Sequence, residues 1–578
     1  MEGNFFCTFM EVRYSYSLSA NNNCTMKKTS LLAASILALS AWSAPLAEAC
    51  SDLIVGKKAS VDGSVMISYS ADSHTLYGDL VHYPAKAWGK GLMLQIHEWD
   101  TGKPLGYIPQ APVTYNVVGN MNEHQVAITE STWGGRKELS DTTGIMDYGS
   151  LIYVALQRSR SAREAIRIMT DLVRDYGYYS SGESFTIADK NEVWIMEMIG
   201  KGPKKKGATW VAIRIPDNAI AAHANQARIH KIPFGDKENC MYEKDVVNIA
   251  REYGWFKGKD KDFDFQKAYN PYDFMGLRAC EARVWSFFRS FDKGMDKHLK
   301  HIQGDASEEP MPLYIIPDRK VSLEDVRQGM RNHYEGTPLS MTEDPGAGAY
   351  KVPYRWRPMT FKSEGRTYFN ERAIATQQTG FVLIAQLRSW LPDPVGGILW
   401  FGVDDANTAV LTPMYASITE IPECYRQGNG SMTQFSWTSA FWIHNWVANM
   451  AYHRYDPMIR DIRPVQKELE DSYIDLVKKT DEAALALLKS NPSQLSSYLN
   501  KVCADVANGA TVRWKKLGEY LLVKYMDGNV KKEKDGRFEE NGYGQIVSPN
   551  QPGYDQAYYD QVAKSGQAGH LELPKEVH

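Results

Sequence analysis

Residues 26–49 read MKKTSLLAASILALSAWSAPLAEA: two lysines, an apolar run from Leu31 to about Trp42, then Ala47-Glu48-Ala49 directly before Cys50. That order of basic, apolar and small residues is the pattern of a secretory signal with its cleavage site. No other feature constrains the chain as much, because cleavage after Ala49 makes Cys50 the first residue of the folding polypeptide and delivers it to an oxidising compartment. The apolar run is shorter than the roughly 20 residues a spanning helix needs. The expectation is an exported protein, periplasmic or extracellular, without a membrane span. Residues 1–25 lack the basic-then-apolar order and read as an extension upstream of a start at Met26.

A cysteine in first place admits three roles. It can carry a lipid, which would make the chain a lipid-anchored binding protein, although Ala47-Glu48-Ala49 lacks the aliphatic-then-small residues usual before such a cysteine. It can be a structural thiol. Cys240, Cys280, Cys424 and Cys503 allow two bridges with the pairing unfixed, and Cys50 is then the odd one. Or it can be a nucleophile whose own α-amine, with an unperturbed pKa near roughly 7.7–8.0, serves as the base a few bonds from the sulfur. Any residue left upstream turns that amine into an amide and ends the role.

Composition narrows the partners. Lys and Arg number 66 against 69 Asp and Glu, a net charge of −3, too weak a field to point to nucleic acid or an anionic membrane. Fifteen Trp, 33 Tyr and 19 Phe supply a broad aromatic core or an aromatic-walled cleft. The chain carries no HExxH, no GxSxG, no GxxxxGK[ST] and no GxGxxG, so zinc, serine, nucleotide and dinucleotide chemistries lack their signatures and no metal or organic cofactor is expected. His298 and His301 lie in a Lys-rich segment that reads as a solvated helix face. His444 and His453 lie in or beside an aromatic run and read as core.

After Cys50 the sequence is Ser51-Asp52-Leu53-Ile54-Val55-Gly56-Lys57-Lys58-Ala59-Ser60-Val61-Asp62-Gly63-Ser64-Val65-Met66-Ile67-Ser68. Asp-Gly between two apolar runs predicts a hairpin. The ordered pattern CxxxxVGKxAxxDGS resembles the start of the PepD-type cysteine dipeptidases, a branch of the Ntn hydrolases that also holds penicillin V acylases and bile salt hydrolases. The likeness runs to about residue 460, with echoes in Gln386-Leu387-Arg388 and Gly396–Asp405. It implies an α+β fold, a four-layer αββα sandwich, and a dipeptide or small amide as substrate. An N-acyl amide hydrolase on the same scaffold is the alternative, and a homo-oligomer is left open.

The same resemblance assigns residues. Cys50 aligns with the nucleophile, and Asp72 with the acid that holds the terminal amine in related acylases; a turn aspartate is its plain reading. Those relatives carry arginine a few residues before that acid, whereas this chain has Tyr69. Val117–Thr132 resembles the family's second hairpin, turning at Asn122-Glu123, with Thr132 near a second oxyanion position. Asn225, after a strand-like stretch, resembles the asparagine whose amide faces the oxyanion; otherwise it is a turn former. Arg283 resembles the arginine that closes the acylase site, with Arg278 and Arg289 as competitors. From the residues themselves, Glu123 and Glu130 are candidates to recognise a substrate ammonium, beside Asp52 and Asp72.

The remaining pattern divides the chain at residues 50–460, 461–527 and 528–578. Phe185–Met198 predicts a hairpin turning at Asp189–Glu192, and Trp210–Ile215 and Ala219–Ala222 predict strands. Ser161–Glu164 predicts a capping box opening a helix that stops near Gly177. From Pro464 to about Tyr525 the period is helical, with breaks expected near Asn491-Pro492 and Asn508-Gly509, a carboxy-terminal helical addition followed by an extended or loose tail.

Overall fold

Strand β1 (Asp52–Val55) begins two residues after Cys50, and β2 (Val65–Asp72) returns beside it with Ile54 opposite Ile67. The turn between them is the predicted one: the Asp62 carboxylate accepts the Ser64 N–H at 3.0 Å and its hydroxyl at 2.6 Å. Gly63 follows with φ 85°, a left-handed angle that a side chain resists. The structure is a computed structural model that describes residues 50–565. The signal, its cleavage site and the upstream extension lie outside the described residues.

The principal strands continue as β3 (Ala127–Trp133), β4 (Gly182–Ala188), β5 (Val193–Gly200), β6 (Ala208–Ile215), β7 (Ile220–His223), β8 (Thr379–Leu387), β9 (Gly397–Val403) and β10 (Thr412–Tyr415). They form two antiparallel sheets. The first has seven strands in the order Tyr314–Ile315, β7, β1, β2, β8, β9, β10. The second has eight, in the order Cys240–Tyr242, β6, β5, β4, β3, Met121–Asn122, Val117–Val118, His82–Tyr83. Strand alternation explains how the sheets are used. Ala127, Val193, Ile195 and Val211 join one core with the first sheet, while Ile128, Phe185, Ile187, Trp194 and Met196 pack with two helices in a separate cluster.

Those helices are α1 (Tyr148–Leu156) and α2 (Ala162–Tyr176). Ser161 caps α2 by accepting the Glu164 N–H, but the Glu164 carboxylate reaches back to Arg160 N–H, one residue beyond a closed capping box. Gly177 ends the helix at φ 82°. The first sheet is covered by α3 (Ala282–Arg289), α4 (Leu323–Met330) and α5 (Ala440–His453), and by α6 (Tyr455–Ser490) and α7 (Leu495–Lys524) against β10. The class is α+β, with a carboxy-terminal helical region.

Three boundaries differ from expectation. The second hairpin has two turns, one at Gly119-Asn120 and one from Asn122 to Gln125, because Asn122 Oδ1 accepts the N–H groups of both His124 and Val126. Helix α6 starts at Tyr455 and runs through Pro464, an exposed position where the carbonyl that proline leaves unpaired can face water. Helix α7 runs through Asn508-Gly509 without a break. A helical glycine costs only about 1 kcal/mol, which the burial of Leu499, Trp514, Leu517 and Leu521 offsets.

Candidate active site

Cys50 is held before it does any chemistry. The bridge between Ser51 and Ser70 extends the β1–β2 register, so Ala71 stands opposite Cys50 and Asp72 comes next. The residue is 2% exposed and lines a cavity of about 70 Å³ with Tyr69, Asp72, Asp100, Asn120 and Tyr148.

Arg283 on α3 supplies the brace. Its Nη1 donates to the Cys50 carbonyl at 2.5 Å and to Ser51 Oγ at 2.8 Å; its Nη2 donates to the Ala224 carbonyl at 3.1 Å and to Asn225 Oδ1 at 2.9 Å. The competitors are engaged elsewhere, Arg278 with Glu371 and Arg289 with Asp296. With its oxygen held by Arg283, the Asn225 amide must turn its nitrogen the other way, and Nδ2 donates to the Thr132 carbonyl at 2.6 Å. Asn225 has φ 58°, a left-handed conformation that asparagine tolerates better than most residues.

Asp72 is buried in an ion pair. Its Oδ2 accepts Arg372 Nη2 at 2.5 Å, and its Oδ1 accepts the Thr379 hydroxyl at 2.7 Å. Burial pushes the carboxyl up and Arg372 pulls it down. Burial and the neighbouring Arg283 hold the Arg372 guanidinium down at about 10.

The opposite flank is acidic. The Tyr69 hydroxyl donates to Glu130 Oε1, and the Cys50 sulfur lies 3.6 Å from that oxygen and 3.7 Å from the hydroxyl. So Tyr69 touches the thiol with a neutral group backed by a carboxyl. In the β3–β4 register Thr132 is opposite Glu183 and Glu130 opposite Phe185, which places Glu130 and Glu183 as diagonal neighbours on one face. Burial raises both carboxyls, Glu183 the more.

Three expectations need correction. The Thr132 hydroxyl donates to Glu183 Oε2 at 2.9 Å, so it is turned to the acid pair and not to an oxyanion. Glu123 is a turn residue, accepting the Asn116 N–H at 2.9 Å, and does not line the cavity. Asp52 is buried 3.6 Å from His223 Nδ1. The imidazole itself sits between the hydroxyls of Ser131 and Thr186 at 2.6 and 2.7 Å, and burial with the nearby Arg228 and Arg283 lowers it to about 3, a neutral ring. His298 and His301 are buried, contrary to a solvated helix face: His298 Nδ1 meets the Glu309 carbonyl at 3.0 Å and His301 packs edge-on to Tyr272. His444 is core, stacked on Trp514. Among the described residues no disulfide joins Cys240, Cys280, Cys424 and Cys503.

Sequence reasoning missed Arg372, Glu183, Asp100 and Tyr148. Glu183 had a signal: it shares its strand parity with Phe185 and Ile187, so carrying the alternation back from Phe185 sets a charge on a buried face. Arg372, far along the chain from Asp72, had none.

The profile of peptidase family C69 matches residues 49–80 and 75–468. The chain belongs to this family. The matched span takes in Cys50, Asp72, Asn225 and Arg283, and also Glu130 and Glu183. A probable dipeptidase of Latilactobacillus sakei is 25% identical over 509 residues, covering 83% of this chain and 98% of that protein. A probable dipeptidase B of Lactococcus lactis is 27% identical over 442 residues, 72% of this chain and 83% of its own. A dipeptidase A of Lactobacillus helveticus is 25% identical over 448 residues, 73% and 84%. Membership in family C69 makes the chain a peptidase, with cysteine-type chemistry implied by the class.

Proposed function

We propose that this peptidase is an exported dipeptidase of the Ntn-hydrolase type, with Cys50 as its nucleophile. The observation that carries the reading is Arg283, which ties the Cys50 carbonyl to the Asn225 side chain through one guanidinium. Three residues far apart in sequence become one rigid unit, as a nucleophile and its oxyanion donor require. The names of the relatives supply the substrate class.

In this mechanism cleavage after Ala49 frees the Cys50 α-amine, which takes the thiol proton. Sulfur attacks the scissile carbonyl. The oxyanion is stabilised by the Asn225 amide. The leaving amino group departs protonated, and water resolves the thioester. Asp72, one residue past the position facing Cys50 and paired with Arg372, orients the amine.

A substrate panel tests this. Unblocked dipeptides should be hydrolysed and their N-acetyl forms should not, and Cys50→Ala should be folded and inactive on both. Equal kcat/KM for the two series would discard recognition of the substrate amine, and a preference for the acylated series would turn the reading into an N-acyl amidase.

A further inference from the structure

Behind the thiol lies a pair of acids that the amine-based mechanism does not use. Glu130 Oε2 and Glu183 Oε1 are buried, and neither has a hydrogen-bond donor among the described residues. Their other oxygens are satisfied, Glu130 Oε1 by Tyr69 and the Cys50 thiol, Glu183 Oε2 by Thr132. Two carboxylates cannot donate to each other. One proton held between the two bare oxygens satisfies both and removes one of two like charges from a site without water contact.

The surroundings keep that pair short of positive charge. The titratable groups facing it are Asp52 from β1, Tyr69 from β2, Asp100 from the turn between strands Met93–His97 and Pro104–Pro109, Tyr148, which donates to Asp100, and Tyr153 from α1, and Tyr178 after α2. Each is an acid or a phenol. Among the described residues no Lys or Arg is paired with Glu130 or Glu183. Such an environment makes a carboxyl an unusually good base for its type.

We propose that the Glu130–Glu183 pair is a second acceptor for the Cys50 thiol proton, placed on the interior side of the sulfur. The pair starts with one proton and one negative charge. The S–H bond breaks, its proton passes to Glu130 Oε1, and the negative charge moves from the pair to the sulfur, so the buried cluster keeps its net charge. When the tetrahedral intermediate collapses, the same proton leaves with the amine of the substrate and the pair regains its charge. The α-amine acts from the chain-terminal side and the pair from within. Glu183 is a positioning residue here: it never meets the sulfur, and it acts by sharing the proton that keeps Glu130 basic.

The proposal rests on Cys50 as nucleophile, and it is tested without turnover of any peptide. Iodoacetamide labelling of the Cys50 peptide in the full chain is followed by mass spectrometry from pH 5 to 9. In the uncut chain residue 50 has no free amine, so the pair is the acceptor being read. Glu130→Gln should lower the labelling rate at pH 6 about tenfold, equivalent to an upward move of about one pH unit. Glu183→Gln should lower it in the same direction by a smaller factor. If Glu130 were only a fixed negative charge beside the thiol, Glu130→Gln would move the profile the opposite way, to lower pH. A downward move overturns the proposal, and so does a superimposable profile in both variants. Failure of the dipeptide panel leaves these profiles unaffected, so the two readings fall separately.

Discussion

On one flank of Cys50 a buried carboxylate has a guanidinium, and on the other it has only another acid. Asp72 receives Arg372 and Ser70 at one oxygen and Thr379 at the other, while Glu130 and Glu183 face each other among phenols and further carboxyls. The first arrangement fixes a geometry, because an ionised pair keeps its charges and its distances over a wide pH range. The second stores a proton, because burial without a cation leaves neutralisation as the cheaper state. The thiol lies at the border of the two.

The largest effect expected from breaking this contrast is on the paired side. Arg372→Met leaves Asp72 buried without its charge partner and should cost roughly 3–5 kcal/mol in urea denaturation, the usual penalty for half of a buried pair. A loss below about 1 kcal/mol would mean that Asp72 relaxes to solvent or simply protonates, and the two flanks would then follow one rule.

Asn225→Ala comes next. It should lower kcat by roughly 10²–10³ with a smaller change in KM, the loss typical of one oxyanion donor. An effect on KM alone would make Asn225 part of substrate positioning and leave Arg283 bracing a structural turn.

The third and smallest effect sharpens the acidic side, where His223 adjoins Asp52 yet carries no charge. Its folded value of about 3 lies below the ordinary value near 6.5. Between those limits the unfolded chain binds a proton that the folded chain does not, so stability falls as pH drops from about 6.5. At pH 5 the loss should be about 2 kcal/mol. In His223→Gln this component is absent, and the stability gap between wild type and variant should shrink by that amount from pH 7 to 5. If the gap widens instead, His223 is charged and paired with Asp52, and the acidic flank has a cation after all.

The contrast also marks what could be read from the chain alone. Cys50, Asp72, Asn225 and Arg283 each sit in a short ordered segment, and local order is what a single sequence displays. The β1–β2 turn at Asp62-Gly63 and the strands on either side were legible for the same reason. Arg372 was not, because its meaning comes from a partner 300 residues away in sequence. Glu183 was half legible: the predicted hairpin began at Phe185, and extending the alternation by one step would have set a charge on the buried face. His298 and His301 were misread because Lys neighbours suggested solvent, whereas the segment around them turns inward at those two positions. Asn508-Gly509 looked like a stop, and packing against α5 and β10 overrode it.

One feature of the core bears on how the protein can be handled at the bench. Burial pushes the thiols of Cys240, Cys424 and Cys503 up to about 12, and that of Cys280 upward too. At neutral pH they hold almost no thiolate, the form that attacks an electrophile. A maleimide dye aimed at Cys50, on the wall of the cavity, therefore meets little competition from these four. Fluorescence attached there reports on what enters beside Cys50, with no need to engineer the other four away.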